Sequence, residues 1–118
     1  MNVTFFTADD CHFNSIDEIP EDAIIGGGIF TKDNISELLG CFKSGSTTQT
    51  DKLWQLSVNF SETLSMIDHE GLKEVAVNWS DESSWENIAV NSTDLADHLL
   101  ALKYGYSNSN QRIWVLFE

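Results

Sequence analysis

The sequence predicts an α+β fold: a single domain over residues 1–118, with an antiparallel or mixed sheet of about five to six strands and two helices packed on it. Three observations predict it. Apolar residues recur at helical spacing in two separate stretches, Ile35-Leu38-Leu39-Phe42 and Leu95-Leu99-Leu102. Around them, short runs alternate apolar and polar residues with the period of a half-buried strand. The chain's 118 residues are 42% hydrophobic, with 4 Trp, 7 Phe and 2 Tyr, enough for one core and too little for two. Size scaling then gives a folded surface of about 6,400 Å².

In chain order, Val3 to Phe6 open with a short strand over residues 2–7. Residues 8–22 read as irregular, with Phe13, Ile16 and Ile19 as their few apolar anchors. Ile24 to Phe30 read as a strand bulged or broken at Gly26-Gly27-Gly28. The first helix starts at an Asp33 or Asn34 cap, with Glu37 placed to complete an Asn34 capping box, and ends near Lys43. Ser44 to Thr48 read as loop. Trp54, Leu56, Val58 and Phe60 then alternate with polar residues as the clearest strand. Leu64–Ile67, Val75–Trp79 and Trp85–Val90 follow as further strands of an antiparallel meander, with a turn at His69-Glu70-Gly71. The second helix starts at Ser92 or Thr93 and buries Leu95, Leu99 and Leu102, with His98 at the boundary and Gly105 as a left-handed cap. Arg112 to Phe117 form the last strand; apolar residues on both its faces place it centrally.

Charge narrows the function. Six Lys and Arg face 19 Asp and Glu, for a net charge of −13. A surface of that sign repels nucleic acid and anionic lipid, which argues against a direct nucleic-acid or membrane-surface binder. No basic, apolar leader opens the chain, no apolar run approaches a bilayer span, and two cysteines make no disulfide framework; a cytoplasmic protein with free thiols is expected. Asn-x-Ser/Thr sequons at Asn2, Asn34, Asn59, Asn78 and Asn91 are read as turn and cap chemistry.

The acids are not spread evenly. Residues 1–31 and residues 74–102 each hold six acids and no Lys or Arg. Helix-start and strand-face roles account for Asp94, Asp97 and Glu74. Two loop sets remain: Asp9, Asp10, Asp17, Glu18, Glu21 and Asp22; and Asp81, Glu82 and Glu86. Loops on a rigid scaffold are where binding residues concentrate, and a basic partner relieves the repulsion among like charges. Trp79 and Trp85 bracket the second set; Trp79 reads as core, whereas Trp85 suits either core or an interface anchor. The alternative for both sets is ordinary solubilising charge.

Chemistry-bearing motifs are sparse. Asp9-Asp10-Cys11-His12 places four possible metal ligands in a row, but His69 and His98 lack ligand spacing and no CxxC, HExxH or EF-hand loop is present; no metal is expected. Gly26-Gly27-Gly28 lacks the Gly-Lys-Ser/Thr and GxGxxG continuations of phosphate-binding turns, so no nucleotide or other cofactor is expected. No nucleophile motif occurs, and catalysis is not expected.

In size, single α+β domain, acidity without an export signal, and Trp beside acids over Trp79-Ser80-Asp81-Glu82-Ser83-Ser84-Trp85-Glu86, the chain resembles bacterial immunity proteins against contact-dependent or colicin-type toxins. The resemblance implies a non-catalytic, stoichiometric inhibitor. Its carboxylates would engage Lys and Arg of a basic toxin domain, a nuclease, and cover its active site or an exosite. Other readings are a nucleic-acid mimic acting on a DNA-binding or defence enzyme, a small enzyme or ligand-binding domain using a Gly26–Gly28 cleft, and an oligomeric scaffold subunit.

Overall fold

A computed structural model describes residues 1–9, 16–86, 88–106 and 111–118. Five strands form one antiparallel sheet: β1 (Asn2–Ala8), β2 (Ile24–Ile29), β3 (Ser46–Thr50), β4 (Leu53–Leu56) and β5 (Arg112–Phe117), in the spatial order β2-β1-β5-β4-β3. The described residues also form four α-helices, α1 (Lys32–Cys41), α2 (Val58–Met66), α3 (His69–Ser80) and α4 (Ser92–Tyr106). The fold is α+β as expected, with two more helices than the sequence reading placed.

Strand β5 lies mid-sheet and shows why its run is apolar throughout. Ile113, Val115 and Phe117 face the main core with Val3 and Phe5 of β1 and the helices. Trp114 and Leu116 face a smaller second cluster with Phe6, Leu53 and Ile19. That second face is covered by a segment with two 3-10 turns, Ile16–Glu18 and Glu21–Ala23, whose one buried side chain over residues 16–22 is Ile19. The accessible surface is 6575 Å², close to the value size scaling gives.

The four predicted strands between residues 54 and 90 need correction. Only Leu53–Leu56 is extended. Ser57 caps α2 by accepting from the Phe60 amide, which turns Val58-Asn59-Phe60 into a first helical turn. Asp68 caps α3 by accepting from the Gly71 amide at 2.7 Å, where the sequence read a turn. Over α3 two periods coexist. Val75, Val77 and Trp79 alternate, but Leu72, Ala76 and Trp79, spaced i, i+4, i+7, are the buried set, while Val77 is 47% exposed. Among the described residues of the stretch 85–90 none is in a strand, and Trp85 ends a 3-10 turn, Ser83–Trp85.

Other boundaries shift for local reasons. Ser44 to Thr48 read as loop, but Ser46–Thr50 is the edge strand β3. The α1 cap is Thr31 rather than Asp33 or Asn34: its hydroxyl accepts from the Asn34 backbone amide at 3.0 Å, and the Asn34 side-chain Oδ1 accepts from the Thr31 amide at 2.9 Å. Glu37 is thereby left free for another contact. At the other end of α1, Lys43 adopts φ 54°; its amide donates to the Gly40 carbonyl and the Ser44 amide to the Leu39 carbonyl at 2.8 Å, a Schellman turn without glycine. The Lys103 ammonium donates to the Leu64 and Ser65 carbonyls at 3.2 and 2.8 Å, at the negative end of α2.

Glycines let α4 lie on β2. A Cβ on Gly26 would stand 2.7 Å from Leu102 Cδ2, one on Gly28 3.2 Å from His98 Cε1, and one on Gly105 2.7 Å from Ile25 Cβ. Gly105 is therefore an approach point inside α4, not a left-handed cap. The bulge read at Gly26-Gly27-Gly28 lies instead between Gly26 and Ile24, opposite Phe5 and Phe6; the three glycines pair with β1 in regular register.

Candidate functional site

The acidic segment after α3 is built by the end of that helix. The Asp81 amide closes the last turn onto Val77 and Asn78, and the Glu82 amide donates to the Trp79 carbonyl at 3.1 Å. The 3-10 turn then brings the chain back, with Trp85 donating to Glu82 and Glu86 to Ser83. Asp81, Glu82 and Glu86 are exposed and have no ion-pair partner among the described residues.

Two anchors hold the segment. The first is aromatic. Trp79 is 1% exposed, as expected of a core residue; its ring stacks on Phe30 at 5.5 Å and its indole N–H donates to the Asn34 carbonyl at 2.8 Å. Trp85 is half-buried, edge-on to Trp79 at 5.7 Å and to Phe30 at 6.2 Å, and its buried indole nitrogen has no hydrogen-bond partner. The second anchor is a carboxylate. Glu37 of α1 accepts from the Ser84 amide at 3.2 and 3.1 Å, from the Ser83 hydroxyl at 3.1 Å, and from the Ser84 hydroxyl. The Asn34 side-chain amide donates to that same Ser84 hydroxyl at 2.7 Å. Glu37, Asn34, Ser83 and Ser84 were not among the candidate residues. Their partners lie far along the chain, and neither periodicity nor spacing reports such a pair.

Electrostatically this is an unusual place for acids. Asp81 and Glu82 sit at the C-terminal end of α3, where the helix dipole is already negative, and the last turn carries no basic residue. Helix stability favours the opposite sign there. Burial first, then the Glu82 and Glu37 carboxylates, push the thiol of nearby Cys41 above its ordinary pKa.

The first acidic set lies elsewhere. Asp17, Glu18, Glu21 and Asp22 are exposed on the segment that covers the second face of the sheet, whereas Trp85 packs on the helix-side core. The structure thus separates the two sets by the sheet. Asp9 is exposed at the rim of an open cleft of about 340 Å³, shared with Asp22, Pro20 and Thr7; Asp10, Cys11 and His12 lie outside the described residues.

The Gly26–Gly28 cleft is not formed. Beside Gly27, Phe30, His98 and Leu102 there remains ≈ 10 Å³, at most one water, because α4 occupies that space. His98 is exposed at the boundary, edge-on to Phe30 at 5.3 Å. Among the described residues no group of three His, Cys, Asp or Glu could hold a metal ion, and no helix is long and apolar enough to cross a membrane. No protein family, curated protein or solved structure matches the chain.

Proposed function

We propose that the chain is a non-catalytic binding protein whose loop Asp81–Glu86 engages a basic protein partner, and that it acts as an immunity protein neutralising a toxin nuclease domain. The observation that carries the reading is the uncompensated placement of Asp81 and Glu82 at the negative end of α3, on a loop held by Glu37 and Trp85. Charge set against local stability and fixed in position is charge spent on a partner. A nuclease cleft, basic because it holds phosphates, is its electrostatic complement. Half-buried Trp85 supplies an apolar anchor beside the carboxylates, and the remaining acidity speeds encounter.

The test is capture from a lysate of the organism that encodes the chain, comparing wild type with the Asp81→Lys/Glu82→Lys/Glu86→Lys variant. The reading expects one basic nuclease, held one-to-one, inhibited by wild type and not by the variant. Equal capture and inhibition by both forms would overturn the role of the loop. A broad set of DNA-binding proteins released together by modest salt would replace immunity with nucleic-acid mimicry.

A further inference from the structure

The free edge of the sheet at β2 is unusually open. Met1 and Phe30 exchange both backbone hydrogen bonds, the Phe30 amide to the Met1 carbonyl at 3.1 Å and the Met1 amine to the Phe30 carbonyl at 3.4 Å. Hydrogen-bonded pairs alternate along an antiparallel ladder, so Val3–Gly28 and Phe5–Gly26 are the next bonded pairs. The Glu118 amide agrees with this phase: it bonds the Asn2 carbonyl at 2.7 Å, turning Asn2 toward β5. The amides and carbonyls of Gly27 and Ile29 therefore point away from β1, and neither residue has a hydrogen-bond partner there among the described residues.

Among the described residues none of the usual protections of an edge is present at that end. Ile24–Ile29 contains no charge and no proline, and the register slip lies at the opposite end, beside Ile24. On the face away from α4, Ile29 is 79% exposed and Ile24 37%, with exposed Gly27 between them. Glu21 and Asp22 stand immediately before the strand and Asp33 shortly after it, all exposed.

We infer that the β2 edge binds an extended, basic segment of a partner protein as a sixth strand, paired through Gly27 and Ile29. The segment lays an apolar side chain across Gly27 against exposed Ile24 and Ile29, and turns its cationic side chains toward Glu21, Asp22 and Asp33. Main-chain bonds supply the pairing, and alternate side chains the selectivity. A second copy of the chain would bring another charge of −13 to the same edge, which favours the basic segment over self-association. The inference shares the partner class of the proposed function but uses a different surface, so the two fail separately.

The probe is a capped eight-residue peptide of alternating valine and lysine, with amide hydrogen exchange of the full chain read by NMR. Binding is expected to slow exchange at Gly27 and Ile29, with little change at the already bonded Gly26 and Gly28. A valine–glutamate peptide, and the valine–lysine peptide N-methylated at every residue so that neither edge can donate, should give no protection. Ile29→Pro removes an outward amide and no bond to β1, so the variant should fold and lose the protection at Gly27. If Ile29→Pro does not fold, the N-methylated peptide decides alone. Unchanged exchange at Gly27 and Ile29 with millimolar peptide overturns the inference. So does protection that persists with the N-methylated peptide, or protection that grows with protein concentration alone, which would mean a second copy holds the edge.

Discussion

The Glu37 carboxylate on α1 accepts from the Ser84 amide at 3.1 Å and ties the acidic loop to a helix that precedes it by more than forty residues. Replacing Glu37 by Ala should free the turn without altering a single charge of the loop itself. Three bonds are lost, but part of the group is solvated, so the expected destabilisation is about 1–2 kcal/mol. Urea unfolding measures it, and faster amide exchange at Ser84 locates it. If the loop is the partner surface, affinity falls as well, through the cost of ordering it on binding.

Lys43 offers a stabilising change. A side chain at φ 54° carries the left-handed penalty that glycine does not. Lys43→Gly should raise the unfolding free energy by about 1 kcal/mol, visible as a higher urea midpoint with an unchanged slope. A loss of stability would show that the lysine side chain contributes there.

Gly27 offers the reverse. A Cβ at this position would stand 2.6 Å from the Val3 carbonyl oxygen, a backbone atom of the neighbouring strand that cannot rotate away. Gly27→Ala should destabilise by about 1–3 kcal/mol. The same substitution at Gly40, where nothing lies within 4 Å and the residue is inside α1, should stabilise by about 0.5–1 kcal/mol.

Cys41 reports the field of the loop. Because burial and two carboxylates raise its pKa, less thiolate is present at a given pH and alkylation in a Cys11→Ser background should be slow, its rate rising at higher pH than for an exposed thiol. Glu82→Gln removes the larger of the two charge effects and should shift that rise to lower pH. An unchanged profile would show that burial alone sets the reactivity.

Salt should separate folding from binding. Going from about 0.01 M to about 1 M shortens the screening length from roughly 30 Å to roughly 3 Å. Stability should rise as self-repulsion among the acids is screened, while affinity for a basic partner falls. Thermal melts and titration calorimetry over one salt series read both signs.

Elements with one period and a local cap were legible. The Ile35-Leu38-Leu39 stripe gives α1, and Leu95-Leu99-Leu102 gives α4. The two-sided apolar run at Ile113–Phe117 gives the central strand. Residues 58–79 failed because hydrophobicity and burial part company there: Ala76, a weak hydrophobe, is fully buried, while Val77 faces out. Two cap residues, Ser57 and Asp68, carried the helical signal that alternation masked. At the site, sequence pattern found the carboxylates and the two tryptophans. It could not find Glu37, whose role exists only once α1 and the loop after α3 meet in space.

Among the described residues of the segment covering the second face of the sheet, Ile19 is the buried anchor, with Ala23 packed beside it. Burying one isoleucine contributes about 1.5–3 kcal/mol, whereas fixing each residue's backbone costs about 1–2 kcal/mol. The Glu118 carboxylate accepting from the Ile16 amide adds a second, exposed tether. Residues 16–22 should therefore exchange their amides faster than the strands they cover, which hydrogen exchange read by NMR checks. Asp17, Glu18, Glu21 and Asp22 ride on that segment; Asp81, Glu82 and Glu86 are bolted to the main core. The two groups of carboxylates therefore differ in what carries them: one stands on a loop packed against the main core, the other on the cover of the smaller cluster.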